Sequence, residues 1–374
     1  MQATQPFLAY RDRIGVASEI GFLRRQYIGF SRLRPVWTGR TLLAEAPQVG
    51  DRLLRLGGDG PLGPLHRLLF RRFGRLPPGL AAEFAADRGV EFAADRAEVL
   101  HAQFARGGAL ALPLVRGLGL RMVVTLHGGD VSKQKNWHAT MLARRWPEVV
   151  RASDRFVCVS DAVASLARGR GVPGEKLIVL PIGVEIADQP PIRRPVAHLF
   201  VGRFVPKKGI AVLAAAVRRL RALGDQTPLV CVGDGPLRPL LADLGREVAG
   251  VTLTGWLSPD AVRLRMSEAI SLLVPSVVAA DGDAEGLPSV IAEAMAQGCP
   301  VIGSDQGGIA EVVGPGCGLL VRAGDAAGLA DAMLRIGQDP VLADRLGAAG
   351  FAAATDKLNA RLQSAKLERL LFSL

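Results

Sequence analysis

The sequence EGLPSVIAEAMAQG, residues 285–298, contains two glutamates, Glu285 and Glu293, with seven residues between them. Pro288 predicts the start of a helix, at a position where its missing N–H costs nothing, and Gly298 predicts its end. Glu285 is therefore expected in a loop ahead of the helix and Glu293 inside it. Carboxylate oxygens accept hydrogen bonds from neighbouring hydroxyl groups, so this pattern suits a ligand rich in hydroxyls.

A basic segment upstream, VGRFVPKKG at residues 201–209, supplies the opposite charge. Guanidinium and ammonium groups, here those of Arg203 and Lys208, are suited to phosphate oxygens. The free N–H groups of Gly286 and Leu287 are expected at the positive end of the helix dipole, where an anion is stabilised. Together the two segments predict one site for a sugar diphosphate.

The surrounding sequence predicts two domains of the α/β class. A chain of 374 residues with 49% hydrophobic residues is long enough for two cores, since one domain typically takes ~100–200 residues. Apolar β-branched runs alternate with helical stretches in both halves, which favours parallel sheets with crossover helices. The prolines of residues 189–195 predict an extended linker, and we expect the hinge there. The predicted strands are 5–10, 99–102, 121–126, 155–159, 176–180, 197–201, 228–232, 251–254, 270–274 and 300–304, and the predicted helices include 161–168, 209–223, 237–244 and one in 357–374.

At residues 201–209 and 285–298 the chain resembles the retaining nucleotide-sugar glycosyltransferases of family 4, which have the GT-B fold. The resemblance spans nearly the whole chain, and it depends on the order and spacing of several short motifs. These are GRFVPKKG at 202–209, Glu285 to Glu293, Pro275-Ser276, GCPV at 298–301, TLHGGD at 125–130, CVS at 158–160 and PIGV at 181–184.

The resemblance implies two Rossmann-like, doubly wound domains that face a cleft. It assigns residues 1–189 to an acceptor-binding domain, residues 190–356 to a nucleotide-sugar-binding domain, and residues 357–374 to a helix that crosses back to the first. Because ligands bind at the carboxyl ends of the strands in such folds, we expect His127, after the strand 121–126, to point towards the donor sugar.

The resemblance also implies roles for individual residues. His127 and Glu285 are assigned to the reacting sugar, Glu293 to the ribose hydroxyls, and Glu19 and Asp130 to the acceptor. The donor-binding residues are Gly202, Arg203, Lys208, Gly286, Leu287 and Glu293. The family suggests a reaction in which the leaving phosphate takes the acceptor's proton, rather than a covalent intermediate on Glu285.

Structural alternatives stand beside three of these roles. His127 is also compatible with a loop-capping function, and Asp130 with capping the turn that follows. The segment around Ser18-Glu19 has one residue more than the family's Ser-Glu-x-Phe pattern, and Ser18 is equally compatible with a helix N-cap.

No cofactor or metal ion is expected, because Arg203 and Lys208 take the place of magnesium at the diphosphate. Asp281-Gly282-Asp283 is interpreted as a solvated acidic turn rather than a metal site. The four cysteines, which form no Cys-x-x-Cys pair, predict reduced thiols rather than a disulfide framework.

The sequence therefore predicts transfer of a hexose from a UDP- or GDP-sugar to a lipid-linked, polyprenyl-diphosphate, or oligosaccharide acceptor during surface polysaccharide synthesis. One alternative is an NAD(P)-dependent oxidoreductase, suggested by Gly233-Asp234-Gly235 after a strand, although Arg238 occupies the place of the third glycine. Another is a non-catalytic adaptor that binds a sugar nucleotide or a membrane.

The positive charge is concentrated at the N-terminal end. Residues 1–150 contain 22 Lys and Arg against 12 Asp and Glu, a difference of +10 out of the chain's +11. Residues 65–76 have a basic amphipathic pattern suited to an anionic bilayer surface, or equally to an ordinary helix with a solvated basic face. No membrane-spanning segment is predicted, so we expect a cytoplasmic protein, peripheral at the inner face of the cell membrane. With 5% aromatic residues and no binding module, nucleic acid is not expected as a partner.

Overall fold

The computed structural model describes residues 5–11, 13–14, 17–39, 41–42, 53–55, 97–133, 141–314 and 316–374. These residues form two compact units. The first takes in the described residues of 1–159 together with 163–181 and 361–374, and the second consists of 160–162 and 182–360. Among the described residues, no helix combines the length and apolar character that crossing a bilayer requires.

The first unit is built on a parallel sheet. Its order is β5-β3-β1-β6-β7-β8-β9, so the chain starts near the middle and winds outwards in both directions. The strands are β1 (Gln5–Tyr10), β3 (Leu33–Gly39), β5 (Leu53–Arg55), β6 (Val99–Gln103), β7 (Arg121–Leu126), β8 (Arg155–Cys158) and β9 (Leu177–Val179), and a separate parallel pair is formed by β2 (Arg13–Ile14) and β4 (Thr41–Leu42). The helices of this part of the chain are α1 (Ala17–Arg25), α2 (Phe104–Leu118), α3 (Gly129–Ser132), α4 (Met141–Ala152) and α5 (Asp161–Gly169).

The central strands of this sheet are buried almost without interruption. Every residue of β6 is buried, as is every residue of β7 after Arg121. Continuous burial of this kind is typical of parallel strands covered on both faces. Phe7, Tyr27 and Trp37 contribute aromatic rings to the core.

The second unit repeats this winding with a six-stranded parallel sheet of order β12-β11-β10-β13-β14-β15. The strands are β10 (Ala197–Val201), β11 (Leu229–Val232), β12 (Val251–Gly255), β13 (Ala269–Val274), β14 (Val301–Ser304) and β15 (Leu319–Val321). The helices are α6 (Ile210–Ala222), α7 (Arg238–Glu247), α8 (Pro259–Ser267), α9 (Ser289–Ala296), α10 (Gly307–Val312), α11 (Ala326–Gln338) and α12 (Pro340–Lys357). The order is that of a doubly wound nucleotide-binding domain, which confirms the predicted fold class.

The structure contains a C-terminal helix, Ala360–Phe372, where the sequence predicts one over residues 357–374. α12 ends at Lys357, and α13 (Ala360–Phe372) follows after a short break. In the break, the N–H of Val184 donates to the carbonyl oxygen of Leu358, and the N–H of Ala360 donates to that of Val184. These bonds form an isolated parallel bridge between Val184 and Asn359, which separates the two helices.

The proline-rich segment 189–195, where we expect the hinge, belongs to the second unit. The backbone N–H of Arg194 donates to the carbonyl of Ser267 at 3.1 Å, and the guanidinium of Arg193 donates to the carbonyl of Ala269. These bonds hold the segment against α8 and β13. The chain passes between the units after Val159, Ala162, Pro181 and Ala360.

Candidate active site

The two segments that carry the predicted donor site follow neighbouring strands of the second sheet. β10 and β13 pair in parallel at the point where the strand order reverses, which is where doubly wound sheets bind ligands. Residues 202–209 follow β10, and residues 275–288 follow β13. The N–H of Val277 donates to the carbonyl oxygen of Lys207 at 2.8 Å, so the two segments are joined directly.

Gly209 fixes the close approach of these segments. Its φ is +69°, and a β-carbon there would lie 1.7 Å from the carbonyl oxygen of Pro275. Only glycine adopts this conformation and leaves that space free. The predicted Lys-Gly motif and the predicted Pro-Ser motif therefore meet at one point, next to the one-turn 3₁₀ helix Pro206–Lys208.

The charged side chains beside this contact form a compact cluster. The Lys208 Nζ lies 3.2 Å from Glu285 Oε1, and the Lys207 Nζ lies 3.7 Å from the same oxygen. Lys207 also donates to Asp283 Oδ1 at 3.2 Å. Glu285 Oε1 accepts no hydrogen bond of good geometry, so Lys208 and Glu285 interact as an ion pair. We call these four side chains the Lys–acid cluster.

The acidic turn of residues 281–283 differs from its prediction as a solvated turn. The side chain of Asp283 is 18% exposed and is paired with Lys207, whose side chain is 22% exposed. The N–H of Asp283 also donates to Asp281 Oδ1 at 3.0 Å, which closes the turn. Asp283 is drawn inwards because Lys207, which the sequence analysis did not assign, needs a counter-charge. Within the described ranges, no three His, Cys, Asp or Glu side chains are grouped as metal ligands.

The two residues just ahead of the N-terminus of α9 have unpaired backbone donors, next to Glu285 of the Lys–acid cluster. Pro288, the predicted first residue, is the N-cap, so the helix begins one position later than predicted, and no side chain caps this end. The backbone N–H groups of Gly286 and Leu287 donate to no described residue. Gly298 follows the helix in the left-handed conformation, with φ +62°, as its predicted end. Free N–H groups at a helix N-terminus are suited to an anion.

Two glycines that the sequence analysis missed hold the loop of Glu285 in place. The N–H of Gly308 donates to the carbonyl oxygen of Gly286 at 2.9 Å, and a β-carbon at Gly308 would lie 2.1 Å from that oxygen. Gly307 has φ +50°, and a β-carbon there would approach the carbonyl of Glu285 to 3.1 Å. The signal was available in the sequence, since a Gly-Gly pair follows the strand β14.

The remaining predicted donor residues lie around this cluster with different surroundings. The Lys208 side chain lies next to Gly202, where an added β-carbon would be 3.5 Å from Lys208 Cε. Arg203 is exposed, and its guanidinium makes no hydrogen bond or ion pair with a described residue. Glu293 lies in the second turn of α9 and is partly buried. The structure thus joins Lys208 to Glu285 and leaves Arg203 apart from them.

In the first unit, Asp130 holds the loop that carries His127. One carboxylate oxygen accepts the N–H groups of His127 and Gly128 at 3.0 and 2.9 Å, and the other accepts the N–H of Ala105 at 2.9 Å. Asp130 therefore joins the end of β7 to the first turn of α2. Burial raises the pKa of Asp130, and the backbone hydrogen bonds oppose that shift. These contacts are with residues before Asp130 and with α2, not with the turn after it, and acceptor binding by Asp130 stays a prediction.

The imidazole of His127 is partly buried among aromatic rings. Its centroid lies 4.2 Å from that of Phe104 and 5.5 Å from that of Phe22, and Nε2 lies 3.0 Å from Gln103 Oε1. Burial, together with the smaller effect of the nearby Arg11, lowers the pKa of His127 to about 3. His127 is therefore neutral at physiological pH.

Phe104 has an unusual backbone conformation for a side chain of its size. Its φ is +67°. Among the described residues, Phe104 is the single non-glycine residue with a positive φ. The guanidinium of Arg11 lies 4.3 Å from the centre of its ring. Strained residues of this kind cluster at functional sites. No sequence pattern indicates this strain.

Comparison with known proteins identifies the family. A model described as "Glycosyl transferases group 1" matches residues 196–339, and one described as "Glycosyl transferase 4-like domain" matches residues 36–183. A Salmonella typhimurium protein named as a colanic acid biosynthesis glycosyltransferase, WcaL, is 31% identical over 77% of this chain and 74% of its own length. The chain belongs to the group 1 glycosyltransferase family.

Other members and structures agree with this family. The amylovoran biosynthesis glycosyltransferase AmsK of Erwinia amylovora is 31% identical over 65% of this chain and 62% of its own length, so the match spans less than two thirds of that relative. The structure of Anabaena HepE in complex with UDP and glucose superposes with a TM-score of 0.74, at 18% identity, over 100% of both chains. This likeness shows the fold, which is GT-B, as the resemblance implied.

The glycines that suggested a dinucleotide site have a packing role in this glycosyltransferase fold. A β-carbon at Gly233, where φ is +129°, would lie 2.0 Å from the carbonyl oxygen of Gly202. A β-carbon at Gly235 would lie 2.7 Å from the carbonyl oxygen of Phe204. The two glycines therefore leave room for the backbone of the loop after β10. This packing explains their presence without a nicotinamide dinucleotide.

Some residues with a predicted role lie outside the part of the chain that the structure describes. Glu19 lies in α1, and its side chain is outside the described residues, as is the whole basic segment 65–76. Ser18 lies inside α1, which begins at Ala17, rather than ahead of it. Glu19 as an acceptor residue stays a prediction.

Proposed function

We propose that this chain transfers a hexosyl group from a UDP- or GDP-sugar to a glycan or a polyprenyl-diphosphate-linked acceptor in surface polysaccharide synthesis. The observation that carries the proposal is the ion pair of Lys208 and Glu285, 3.2 Å apart beside the unpaired N–H groups of Gly286 and Leu287. Cation, carboxylate and helix N-terminus are the three groups that a sugar diphosphate needs. The family and the names of its relatives support the same substrate class.

Lys208 and Glu285 exchange partners when the donor binds. In the structure each offsets the other's charge, with side chains 17% and 11% exposed. With donor present, Lys208 turns to the diphosphate and Glu285 accepts hydrogen bonds from the sugar hydroxyls. Lys207 remains between Asp283 and Glu285 and keeps the carboxylate compensated.

The cations act on the charge that develops during the reaction. Negative charge grows on the diphosphate as its bond to the sugar breaks, so Lys208, Arg203 and the N–H groups of α9 stabilise the transition state more than the bound donor. A well-placed donor of this kind contributes about 3–4 kcal/mol. These groups perform the role that a magnesium ion has in other transferases.

The reaction proceeds with retention of configuration. The acceptor hydroxyl oxygen bonds to the anomeric carbon on the face from which the diphosphate leaves, and the bond from that carbon to the phosphate oxygen breaks. The leaving phosphate takes the proton of the acceptor hydroxyl. Neutral His127 assists by hydrogen bonding to the hexose, and Glu293 holds the ribose hydroxyls of the donor.

Acceptor binding belongs to the first unit in this proposal, with Glu19 and Asp130 as candidate residues. The protein works in the cytoplasm, at the inner face of the cell membrane, where a lipid-linked acceptor is found. The excess of +10 charges in residues 1–150 supports contact with an anionic surface. No cofactor takes part.

Thermal stabilisation by nucleotides tests the proposal. A ligand that binds only the folded protein raises its stability, by about 2.7 kcal/mol at a hundredfold excess over Kd. We expect UDP or GDP to raise Tm and NAD to leave it unchanged. Turnover of the matching nucleotide sugar then separates an enzyme from a non-catalytic adaptor.

Arg203→Ala with Lys208→Ala should remove the nucleotide shift. The matched control is Arg246→Ala with Arg263→Ala, which deletes two exposed arginines of the same unit that pair with Asp243 and Asp260. The control should keep the full shift. Stabilisation by NAD, or an unchanged UDP shift without Arg203 and Lys208, would exclude the proposed donor site.

A further inference from the structure

A chain of buried polar side chains extends from His127 into the core of the first unit. His127 Nε2 lies 3.0 Å from Gln103 Oε1, and Gln103 Nε2 lies 3.0 Å from the hydroxyl oxygen of Tyr27. That hydroxyl lies 2.9 Å from His101 Nδ1, and His101 Nε2 lies 2.6 Å from Thr125 Oγ1. We call these five side chains the polar chain. The proposed reaction uses His127 alone among them.

Gln103 sets the direction of the hydrogen bonds. Its amide nitrogen donates one hydrogen to Gln26 Oε1 and the other to the Tyr27 hydroxyl, both at 3.0 Å. Its amide oxygen is therefore the acceptor that faces His127, and Nε2 of His127 must carry the hydrogen. Among the described residues, His101 Nδ1 is the acceptor within reach of the Tyr27 hydroxyl hydrogen, so this hydrogen goes to Nδ1, and His101 Nε2–H donates to Thr125 Oγ1.

The burial of these groups makes the direction costly to reverse. Gln103 and His101 are 0% exposed, and Tyr27 is 7% exposed. An unpaired donor or acceptor at such a depth loses its solvation without replacement. Reversal requires both amides to turn and every donor in the polar chain to change place at once. Burial also lowers the pKa of His101 to about 3, so that both histidines are neutral and their tautomers matter.

The surroundings of His127 leave one ring atom for a ligand. Nε2 is occupied by Gln103, and Nδ1 makes no hydrogen bond with any described residue. The ring is held against Phe104 and Phe22, and the backbone N–H of His127 is held by Asp130. In this tautomer Nδ1 carries a lone pair and acts only as an acceptor.

We propose that Gln103 is a positioning residue that holds His127 in the tautomer protonated on Nε2, so that Nδ1 accepts a hydrogen bond from a hydroxyl group of the transferred hexose. This inference rests on the proposed function, and it adds the atom of His127 that meets the sugar and the residue that selects it. Gln103 acts through His127 and does not touch the substrate.

The tautomers are measured directly by ¹⁵N NMR on protein labelled at histidine. Couplings to the ring carbon-bound hydrogens tell the protonated nitrogen from the unprotonated one, and His127→Gln and His101→Gln identify the two signals. We expect His127 and His101 both to be neutral and protonated on Nε2 at pH 7. Protonation of His127 on Nδ1 in the unaltered protein would overturn the inference.

Two substitutions at Gln103 separate positioning from packing. Gln103→Met keeps the length and removes the acceptor, so we expect Nδ1–H to become populated and kcat to fall about tenfold, the equivalent of one buried hydrogen bond. KM for the donor should stay within about twofold, because the diphosphate contacts lie in the second unit. Gln103→Glu keeps an oxygen towards Nε2–H, and it should retain that tautomer and recover most of the rate.

Ser271→Ala serves as the control for the loss of a buried histidine hydrogen bond. His198 Nδ1 lies 2.9 Å from Ser271 Oγ in the core of the second unit, away from the proposed site residues. Ser271→Ala should leave kcat unchanged. The inference is wrong if Gln103→Met keeps kcat within about twofold, or if Gln103→Glu loses the Nε2–H tautomer as Gln103→Met does. Absence of turnover in an unaltered protein that has the expected tautomer would instead remove the proposed function.

Discussion

A single methyl group at Gly308 would enter the space of the loop that carries Glu285. The β-carbon of Gly308→Ala would lie 2.1 Å from the carbonyl oxygen of Gly286, so the loop has to move. We expect a loss of about 1–3 kcal/mol in the free energy of unfolding, as for other overpacked sites. UDP affinity should fall at least tenfold, because the N–H groups of Gly286 and Leu287 move too. Denaturant unfolding and nucleotide thermal shifts measure the two effects.

Gly245→Ala is the matched control, since it also adds one methyl group to a glycine within a helix. Its β-carbon would lie 3.7 Å from the nearest atom, the carbonyl oxygen of Val251, at ordinary contact distance. Alanine in place of glycine inside α7 should raise stability by about 0.5–1 kcal/mol and leave UDP binding unchanged. Equal UDP affinity in both variants would show that Gly308 does not position the donor loop.

Site residues that belong to a local sequence motif could be predicted from the sequence. Residues that act through packing could not. Lys208 and Glu285 stand at motif positions, and the structure places them 3.2 Å apart. Gln103 and Phe104 belong to an apolar run, and only the folded sheet brings them to His127. Asp283 was misinterpreted because its partner Lys207 is 76 residues away in the sequence.

At the scale of elements, α13 is joined to the start of β3 by one carboxylate. Glu368 Oε1 accepts the backbone N–H groups of Ser31, Arg32 and Leu33 at 2.7, 2.6 and 2.8 Å, and its side chain is buried. Burial raises the pKa of Glu368, but the hydrogen bonds outweigh it, and the net pKa lies below the ordinary value. The ionised carboxylate is therefore the form that holds the helix.

Glu368→Gln should destabilise the protein by about 1–3 kcal/mol at pH 7, because hydrogen bonds to a charged acceptor become hydrogen bonds to a neutral one. A lowered pKa in the folded state stabilises the protein above the unfolded value of about 4.3 and loses that effect as pH falls through the folded pKa. The difference between the two proteins should therefore shrink below about pH 4. Denaturant unfolding from pH 7 to pH 3.5 measures it.

Ser364→Ala is the control on the same helix. Its hydroxyl oxygen accepts the N–H of Gly29 at 2.9 Å and does not titrate. The loss should be about 1 kcal/mol and independent of pH over this range. A pH-independent difference for Glu368→Gln would mean that the charge of the carboxylate has no part in holding α13.

Strands and helices with regular apolar patterns were predicted within one to three residues of their ends. β7 and β10 match the predicted ranges 121–126 and 197–201. β3 was not predicted, because Arg34 and Pro35 interrupt its apolar pattern. β3 tolerates Pro35 because its pairing with β5 begins only at Trp37. Hydrophobic periodicity thus indicates strands well, except where a short neighbouring strand leaves part of the edge unpaired and proline is tolerated there.

At the scale of the whole molecule, the same winding occurs twice, and each unit places its site residues where the strand order reverses. In the first unit, Arg11 and Phe104 follow β1 and β6, which are paired, and His127 follows the next strand. In the second unit, Lys208 and Glu285 follow β10 and β13. The chain therefore has two edges of the kind at which doubly wound sheets bind ligands, one with aromatic and imidazole groups and one with the Lys–acid cluster.

The uneven charge of the whole chain leads to a prediction about membranes. Residues 1–150 have an excess of +10, against +1 for the remainder. Each basic residue near an anionic bilayer contributes about 1 kcal/mol of attraction, so several together are enough for reversible binding. We expect the protein to float with vesicles that contain anionic lipid, not with neutral vesicles, and to be released by salt, since salt screens the attraction.

Replacement of Arg67, Arg71, Arg72 and Arg75 by Gln tests which charges bind the membrane. These four arginines lie in the basic amphipathic segment 65–76, so their loss should abolish flotation with anionic vesicles. The control replaces an equal number of arginines in the second unit, each of which has an acidic partner that already offsets its charge: Arg219, Arg246, Arg263 and Arg265. The control variant should float as the unaltered protein does. If both variants lose binding equally, net charge attracts the protein to the bilayer, and the segment 65–76 has no special part in it.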